Sequence, residues 1–444
     1  MNSTFRLAKN GEAFPLEEIP RHGLNDFLQT IIDATGRGWR VINLFGAPDG
    51  EELSLYAVLG ARNEQQLGIM GTTVDGQLPS ITDYVPQLHL FERELAEEWG
   101  VAAEEHPWFK PVRFVRSRLP GRDAWGRGPD EQILPCVTEF YRVNGDEIHE
   151  VAVGPVHAGI IEPGHFRFQC HGEKVFHLEI ALGYQHRGVE RALVGGPHGT
   201  TMYQVETVAG DTTIGHAQAH CMVREALGGT TVPERGEAIR GIALELERLA
   251  NHAGDLGALA GDVGYLPTMS YCGRIRGDFL NMSAVICGSR FGRGTIRPGG
   301  TGFDIVPQQV AELQRRLAAA RADLENAVGL LWQSSSVMAR FEDTGRVRRE
   351  DALELGLVGP AARACGIMRD VRSSFPFGIY RSTAWEPAID HHGDVYARAM
   401  VRWLEARRSM EFIAALLDRL PPGECRAKDA HPRGGMMAVA MTEG

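Results

Sequence analysis

The sequence predicts an α+β protein, and three observations predict it. Two runs, Trp39–Ala47 and Leu53–Ala61, alternate apolar and polar residues as half-buried strands do. A second alternating stretch, His165–Leu182, doubles back at His171-Gly172-Glu173-Lys174 as a hairpin. Beyond Gly183 the apolar residues recur every three and four positions over long spans, as in bundled helices.

In chain order, Gly23–Ala34 has apolar residues at helical spacing. The two strands that follow are joined by Pro-Asp-Gly-Glu-Glu, a strong turn signal. Leu88–Val101 reads as an amphipathic helix ended by Gly100. Residues 1–114 thus form a small N-terminal α/β domain. Residues 115–140, rich in Arg, Gly and Pro at their start, read as a linker or extended arm. Residues 141–444 open with strands, Glu147–Val156 and the hairpin, and continue as a mainly helical bundle. Its stripes are Ile239, Ile242, Leu246, Leu249, Ala253, Leu256, then Val310, Leu313, Leu317, Ala320, Leu324, Ala327, Leu331. A third helix near Val395–Leu420 carries Met410, Ile413, Leu417 and Leu420.

Composition narrows the function. With 46 basic and 57 acidic side chains the net charge is −11, which argues against a nucleic-acid surface. No apolar run approaches the roughly 20 residues that span a bilayer, and the N terminus carries no apolar segment of a secretory signal. Any membrane connection therefore runs through partners. The seven cysteines, at 136, 170, 221, 272, 287, 365 and 425, are too scattered for a zinc ribbon or an iron–sulfur cluster. They read as free structural thiols of a reducing cytoplasm.

Several short patterns could carry chemistry, each with a plainer reading beside it. His157 follows a Gly-Pro turn and can present its ring to a cavity, although a lone His is more often structural. Arg187 and Glu190, in His-Arg-Gly-Val-Glu, stand one helical turn apart and can pair, as surface residues commonly do. Glu245, Arg248 and His252 share one helical face, which can wire a bundle interior to a site or solvate an exposed edge; pattern alone favours the edge. His216 and His220 have zinc-compatible spacing without the Glu of a metalloprotease motif. Gly356–Tyr380 sets Arg363, Arg369, Asp370 and Arg372 among small residues, which suits a buried electrostatic site or an interface with another protein.

The order of these patterns is more specific than any one of them. Gly154-Pro-Val-His157, Glu162–Phe168, Leu182–Glu190, Ile214–His216, Pro233–Arg240, Leu244–His252 and Gly359–Asp370 resemble, one after another, the large subunit of respiratory complex I and of membrane-bound energy-converting nickel–iron hydrogenases. The resemblance covers about residues 150–444. Phe91–Phe114 is similar to the small C-type component of complex I, which precedes the large D-type one in fused chains. A chain joining both modules resembles the large subunit of formate hydrogenlyase. The resemblance implies that Arg187, Glu190 and His157 line a cavity facing an iron–sulfur cluster on a partner. It also implies that Glu245, Arg248 and His252 belong to a polar network leading away from it.

Departures from the family decide the expected chemistry. In the hydrogenases the stretch matching Ala209-Gly210-Asp211-Thr212 carries one of two Cys-x-x-Cys pairs that hold nickel and iron. Ala209 and Thr212 cannot replace soft thiolates, so no nickel–iron centre is expected. The family's second pair lies near its C terminus, and this sequence stops at Gly444 before it, as a fragment or a shortened tail. Complex I uses the same cavity for quinone, with a second His that falls here near Ile161 (His165 being displaced), a Tyr that falls at Val208, and an acid where Arg224 stands. Asp211 is the ionisable newcomer, either a proton group or a cap of the following helix, the cap being the plainer reading.

The candidate site residues are His157, Arg187, Glu190 and Asp211. The resemblance implies an oxidoreductase subunit of NADH-quinone oxidoreductase or hydrogenase type, peripheral on the cytoplasmic face of the cell membrane. It would bind an iron–sulfur small subunit similar to the B-type component of complex I and, through it, antiporter-like membrane subunits. It would pass electrons to a quinone-like acceptor coupled to ion movement. A non-catalytic scaffold is the alternative. An active hydrogenase large subunit is a third reading, which requires a different alignment of the loop at Ala209–Thr212.

Overall fold

The computed structural model describes residues 4–50, 52–61, 65–135, 138–157 and 161–444. Cys136, Glu51 of the expected turn and residues 158–160 ahead of the hairpin lie outside the described residues. Helices and sheets are both abundant, an α+β composition. The chain divides into two compact units: one gathers the residues up to Phe5 with Pro20–Leu59 and Ile69–Val194, the other Arg6–Ile19, Gly60–Gly68 and Gly195–Gly444. No helix among the described residues is long and apolar enough to cross a membrane.

In the first unit α1 (Leu24–Gly36) buries Phe27, Leu28, Ile31 and Ala34, one face of a helix. Strands β1 (Arg40–Asp49), β2 (Glu52–Ala61) and β3 (Gln66–Val74) are hydrogen-bonded neighbours in that order. Helix α2 (His89–Trp99) ends at Gly100, whose φ of 67° is the left-handed conformation that glycine adopts without strain. Its polar face is buried as well. Glu92 accepts hydrogen bonds from the Thr82 hydroxyl (2.7 Å) and the Ile81 amide (3.0 Å), and Glu97 accepts from the Arg113 and Phe114 amides (3.0 and 2.7 Å).

The second sheet of this unit comprises β4 (His149–Val153), β5 (His165–His171) and β6 (Lys174–Ala181), antiparallel with β5 central. The turn falls at Gly172, as the sequence indicates. A short helix, α3 (Val189–Leu193), follows.

The second unit is a helix bundle: α4 (Thr213–Gly228), α5 (Glu234–Asp262), α6 (Leu266–Cys287), α7 (Pro307–Gln333) and α8 (Val395–Asp418). The predicted stripes of α5 and α7 are buried throughout, apart from half-buried Val310. Helix α6 has no counterpart in the periodicity reading, because Gly273 and Gly277 dilute its pattern. Its buried row is nonetheless helical: Cys272, Ile275, Phe279, Met282 and Ile286. It approaches α5 closely at Gly257, where a Cβ would lie 2.9 Å from that of Cys272.

Phe279 is fully buried in this bundle core. Phe279→Ala is expected to cost about 3–5 kcal/mol through lost apolar burial and the cavity left behind. Urea unfolding of the chain followed by circular dichroism measures it.

Candidate functional site

The loop that departs from the family sits at the entrance of α4. Thr212 is the residue preceding the helix, and its side chain makes no capping bond. Asp211, one residue earlier, is exposed. Neither side chain caps the helix, which corrects the expectation for Asp211. The first turn is held instead from α5: the Glu247 carboxylate accepts the Ile214 amide at 2.7 Å and the Gly215 amide at 3.0 Å. A carboxylate at that end of a helix meets unpaired N–H groups and the positive pole of the helix dipole. Burial pushes the Glu247 carboxyl up to about 8 against the opposing pull of those amides, and the charge of Asp211 adds to the rise. Asn251, also on α5, donates to the Asp211 carbonyl at 3.3 Å and fixes the loop backbone.

Deeper in the same unit lies a buried ionic cluster. Arg372 binds Glu245 (2.9 and 3.1 Å) and Asp370 (2.9 and 2.6 Å), and its guanidinium lies 3.9 Å from the ring centre of Trp385. Glu245 also accepts from Tyr380 and Ser409 at 2.5 Å each. Glu405, on α8, pairs with Arg248, with Arg363 (2.5 Å) and with the His252 ring (3.1 Å). Arg363 further binds Glu443 at 2.7 Å.

These groups are buried, so the exposed-edge expectation for Glu245, Arg248 and His252 is overturned. Their partners lie far away in sequence, where helical spacing carries no signal. One signal is present: Glu405 and Ser409 fall in the otherwise apolar row Val401, Ile413, Leu417 of α8.

Electrostatics follow from this packing. Burial would raise the Glu405 carboxyl, but Arg248 and Arg363 outweigh it and hold it well below the usual range. Glu245 and Asp370 are likewise depressed, burial being outweighed in each case chiefly by Arg372. Burial lowers His252 more than Glu405 raises it, which favours the neutral ring. Sequence patterns alone do not reveal Glu247, Glu443 or Tyr380.

His157, Arg187 and Glu190 belong to the first unit. The half-buried His157 ring engages the Gly164 carbonyl at 2.9 Å and meets the edge of Phe166. Gly154 must be glycine here, since a Cβ would sit 2.1 Å from the Gly164 carbonyl oxygen. His165 is buried, with its Nδ1 3.2 Å from the Gly154 carbonyl, while Ile161 is exposed.

Gly188 takes a left-handed φ of 67°, so Arg187 precedes α3 and does not share a helical turn with Glu190. Glu190 pairs with Arg113 at 3.3 Å, and Arg187 is exposed. Glu98, Val115, Arg118, His186, Gly188, Glu190 and Arg191 line a small pocket of about 70 Å³. Asp211 belongs to the second unit, as does Arg224, which pairs with Asp429 at 2.6 Å.

A nickel–iron centre needs convergent thiolates. Half-buried Ala209 and Thr212 offer none, and no group of three or more His, Cys, Asp or Glu among the described residues could hold a metal ion. Burial pushes the Cys221 thiol up to about 12 and that of Cys272 to about 11, which keeps both protonated. The loop at Ala209–Thr212 therefore supplies no thiolate to such a centre.

Comparison with known proteins completes the assignment. A family profile described as the 49 kDa subunit of respiratory-chain NADH dehydrogenase matches residues 262–440. The carbon monoxide-induced hydrogenase of Rhodospirillum rubrum is 31% identical over 296 residues, 66% of this chain and 82% of that protein. The alpha subunit of the membrane-bound hydrogenase of Pyrococcus furiosus is 30% identical over 284 residues, 62% of this chain and 66% of that protein. The C/D subunit of the NADH-quinone oxidoreductase of Phocaeicola vulgatus is 28% identical over 437 residues, 91% of this chain and 80% of that protein. This chain belongs to the family that unites the complex I 49 kDa subunit with the large subunits of membrane-bound hydrogenases.

Proposed function

We propose that this chain is the large subunit of a membrane-associated oxidoreductase complex that passes electrons to a quinone-like acceptor, coupled to ion movement, with no nickel–iron centre of its own. Residues 1–114 act as the small C-type module, residues 115–140 as an arm, and residues 141–444 as the large-subunit module. The chain docks an iron–sulfur subunit on the cytoplasmic face of the membrane and reaches antiporter-like membrane subunits through it. The observation that carries this reading is the loop at Ala209–Thr212. It offers no thiol, and it places an exposed carboxylate, Asp211, above a buried one, Glu247. Such a loop can supply or accept protons where its relatives hold a metal. His157, Arg187 and Glu190, which belong to the first unit, are separate candidate ionisable groups.

The test uses the complex purified from native membranes. Asp211→Asn and His157→Ala are each expected to lower quinone-dependent turnover about 100-fold, with nickel absent by elemental analysis. Stoichiometric nickel would restore the hydrogenase reading. One observation favours a scaffold instead: the His157 ring is engaged by the Gly164 carbonyl and so braces its own turn. Unchanged turnover in both variants of an active complex would establish that alternative.

A further inference from the structure

We propose that Glu247 is the positioning residue that takes up a proton when negative charge reaches the loop at Val208–Thr212, with Asp211 setting how readily it does so. The inference rests on the redox role proposed for this loop. The proton comes from solvent, and the only bond formed is the O–H of the carboxylic acid.

The contrast between two carboxylates of α5 carries the argument. Glu245 is matched by the guanidinium groups of Arg372 and Arg248 and by two hydroxyl donors. Glu247, two residues on, is buried too, but its partners are backbone amides. The positive end of a helix supplies only about half an elementary charge. The Glu247 charge is therefore incompletely compensated, and any further negative charge nearby favours its neutral form.

Among the groups facing Glu247, the loop supplies a negative charge that repels it. From the loop comes Asp211, whose carboxylate repels it. From α4 come the amides of Thr213, Ile214 and Gly215, followed by His216, whose ring burial favours as neutral. From the C-terminal segment comes Thr442, whose hydroxyl donates to the Gly215 carbonyl at 3.2 Å. On its own helix, Arg248 is directed to Glu405 and Glu245. Asn251 ties the Asp211 backbone to the same helix, so loop and carboxylate are mechanically joined.

Linkage makes the coupling reciprocal. Charge in the loop draws a proton to Glu247, and protonation weakens the bonds that hold the first turn of α4. A reduced, anionic acceptor at the loop would thus be met by proton uptake behind it.

Amide hydrogen exchange of the purified complex between pH 6 and 9 tests this, read at Ile214 and Gly215 and corrected for intrinsic rates. Protection of both amides is expected to rise about tenfold as the pH climbs through about 8, where the carboxyl ionises. Asp211→Asn should move that midpoint down by about one pH unit, and Ala209→Asp should move it up. Glu247→Gln should abolish the transition. Identical profiles in the wild type and Glu247→Gln would overturn the assignment. Should Glu247→Gln not fold, unmoved midpoints in both loop variants would overturn it equally. Exchange requires no electron acceptor, so loss of the redox reading and loss of this one are separate outcomes.

Discussion

Arg372→Met is expected to destabilise the helical unit by about 3–5 kcal/mol, among the largest effects a single substitution can have in this chain. The guanidinium is fully buried and bridges Glu245 on α5 to Asp370. Methionine fills much of the volume but leaves two carboxylates inside without their principal counter-charge. The cost is dominated by that unpaired charge and not by lost attraction, because buried ion pairs contribute little net stability while intact. Arg372→Lys should cost less, about 1–3 kcal/mol: it keeps the charge but loses the planar fork that reaches both partners at once. Chemical denaturation of both variants beside the wild type measures the two effects. Equal and small losses in both would show that the cluster is more hydrated than its burial indicates.

The second large effect is acid lability. Glu245, Asp370 and Glu405 all have folded-state values below their unfolded ones, because the guanidinium groups around them outweigh burial. Their contribution is fully present above the unfolded values of about 4 and is lost as the pH falls through the folded values. The unit should therefore lose stability steeply below pH 4.

Glu247 acts in the opposite sense. Its folded value is raised to about 8, so the native state binds the extra proton between the unfolded value and 8, and stability declines as the pH rises through that window. Thermal midpoints against pH should therefore show a steep acid limb and a shallower decline from pH 5 to 8. Arg372→Met should flatten the first and Glu247→Gln the second. An acid limb unchanged by Arg372→Met would refute the assignment to this cluster.

The sequence and the structure agree where interactions are local. The stripes of α5 and α7 and the glycine stop after α2 depend on residues a few positions apart, and all are found as expected. The ordered motifs also suffice to indicate the family. Disagreement lies where interactions are distant. Helix α6 escapes the periodicity reading because its two glycines weaken the local pattern, whereas burial against α5 and α7 supplies the stability that propensity lacks. Asp211 reads as a cap because it stands beside a helix start, but the cap comes from Glu247, more than 30 residues away.

What the sequence determined by itself is the helical periodicity, the family resemblance and the chemistry missing at Ala209 and Thr212. Each of these is a property of neighbouring residues or of their identity. Only the tertiary structure decided which charges are interior. Glu245, Arg248 and His252 have the same spacing whether they face water or a core. Arg372 and Glu405 lie more than 120 residues away, and the fold brings them against these groups. A charge becomes a buried site only when its counter-charge arrives from elsewhere, and helical spacing does not encode that arrival.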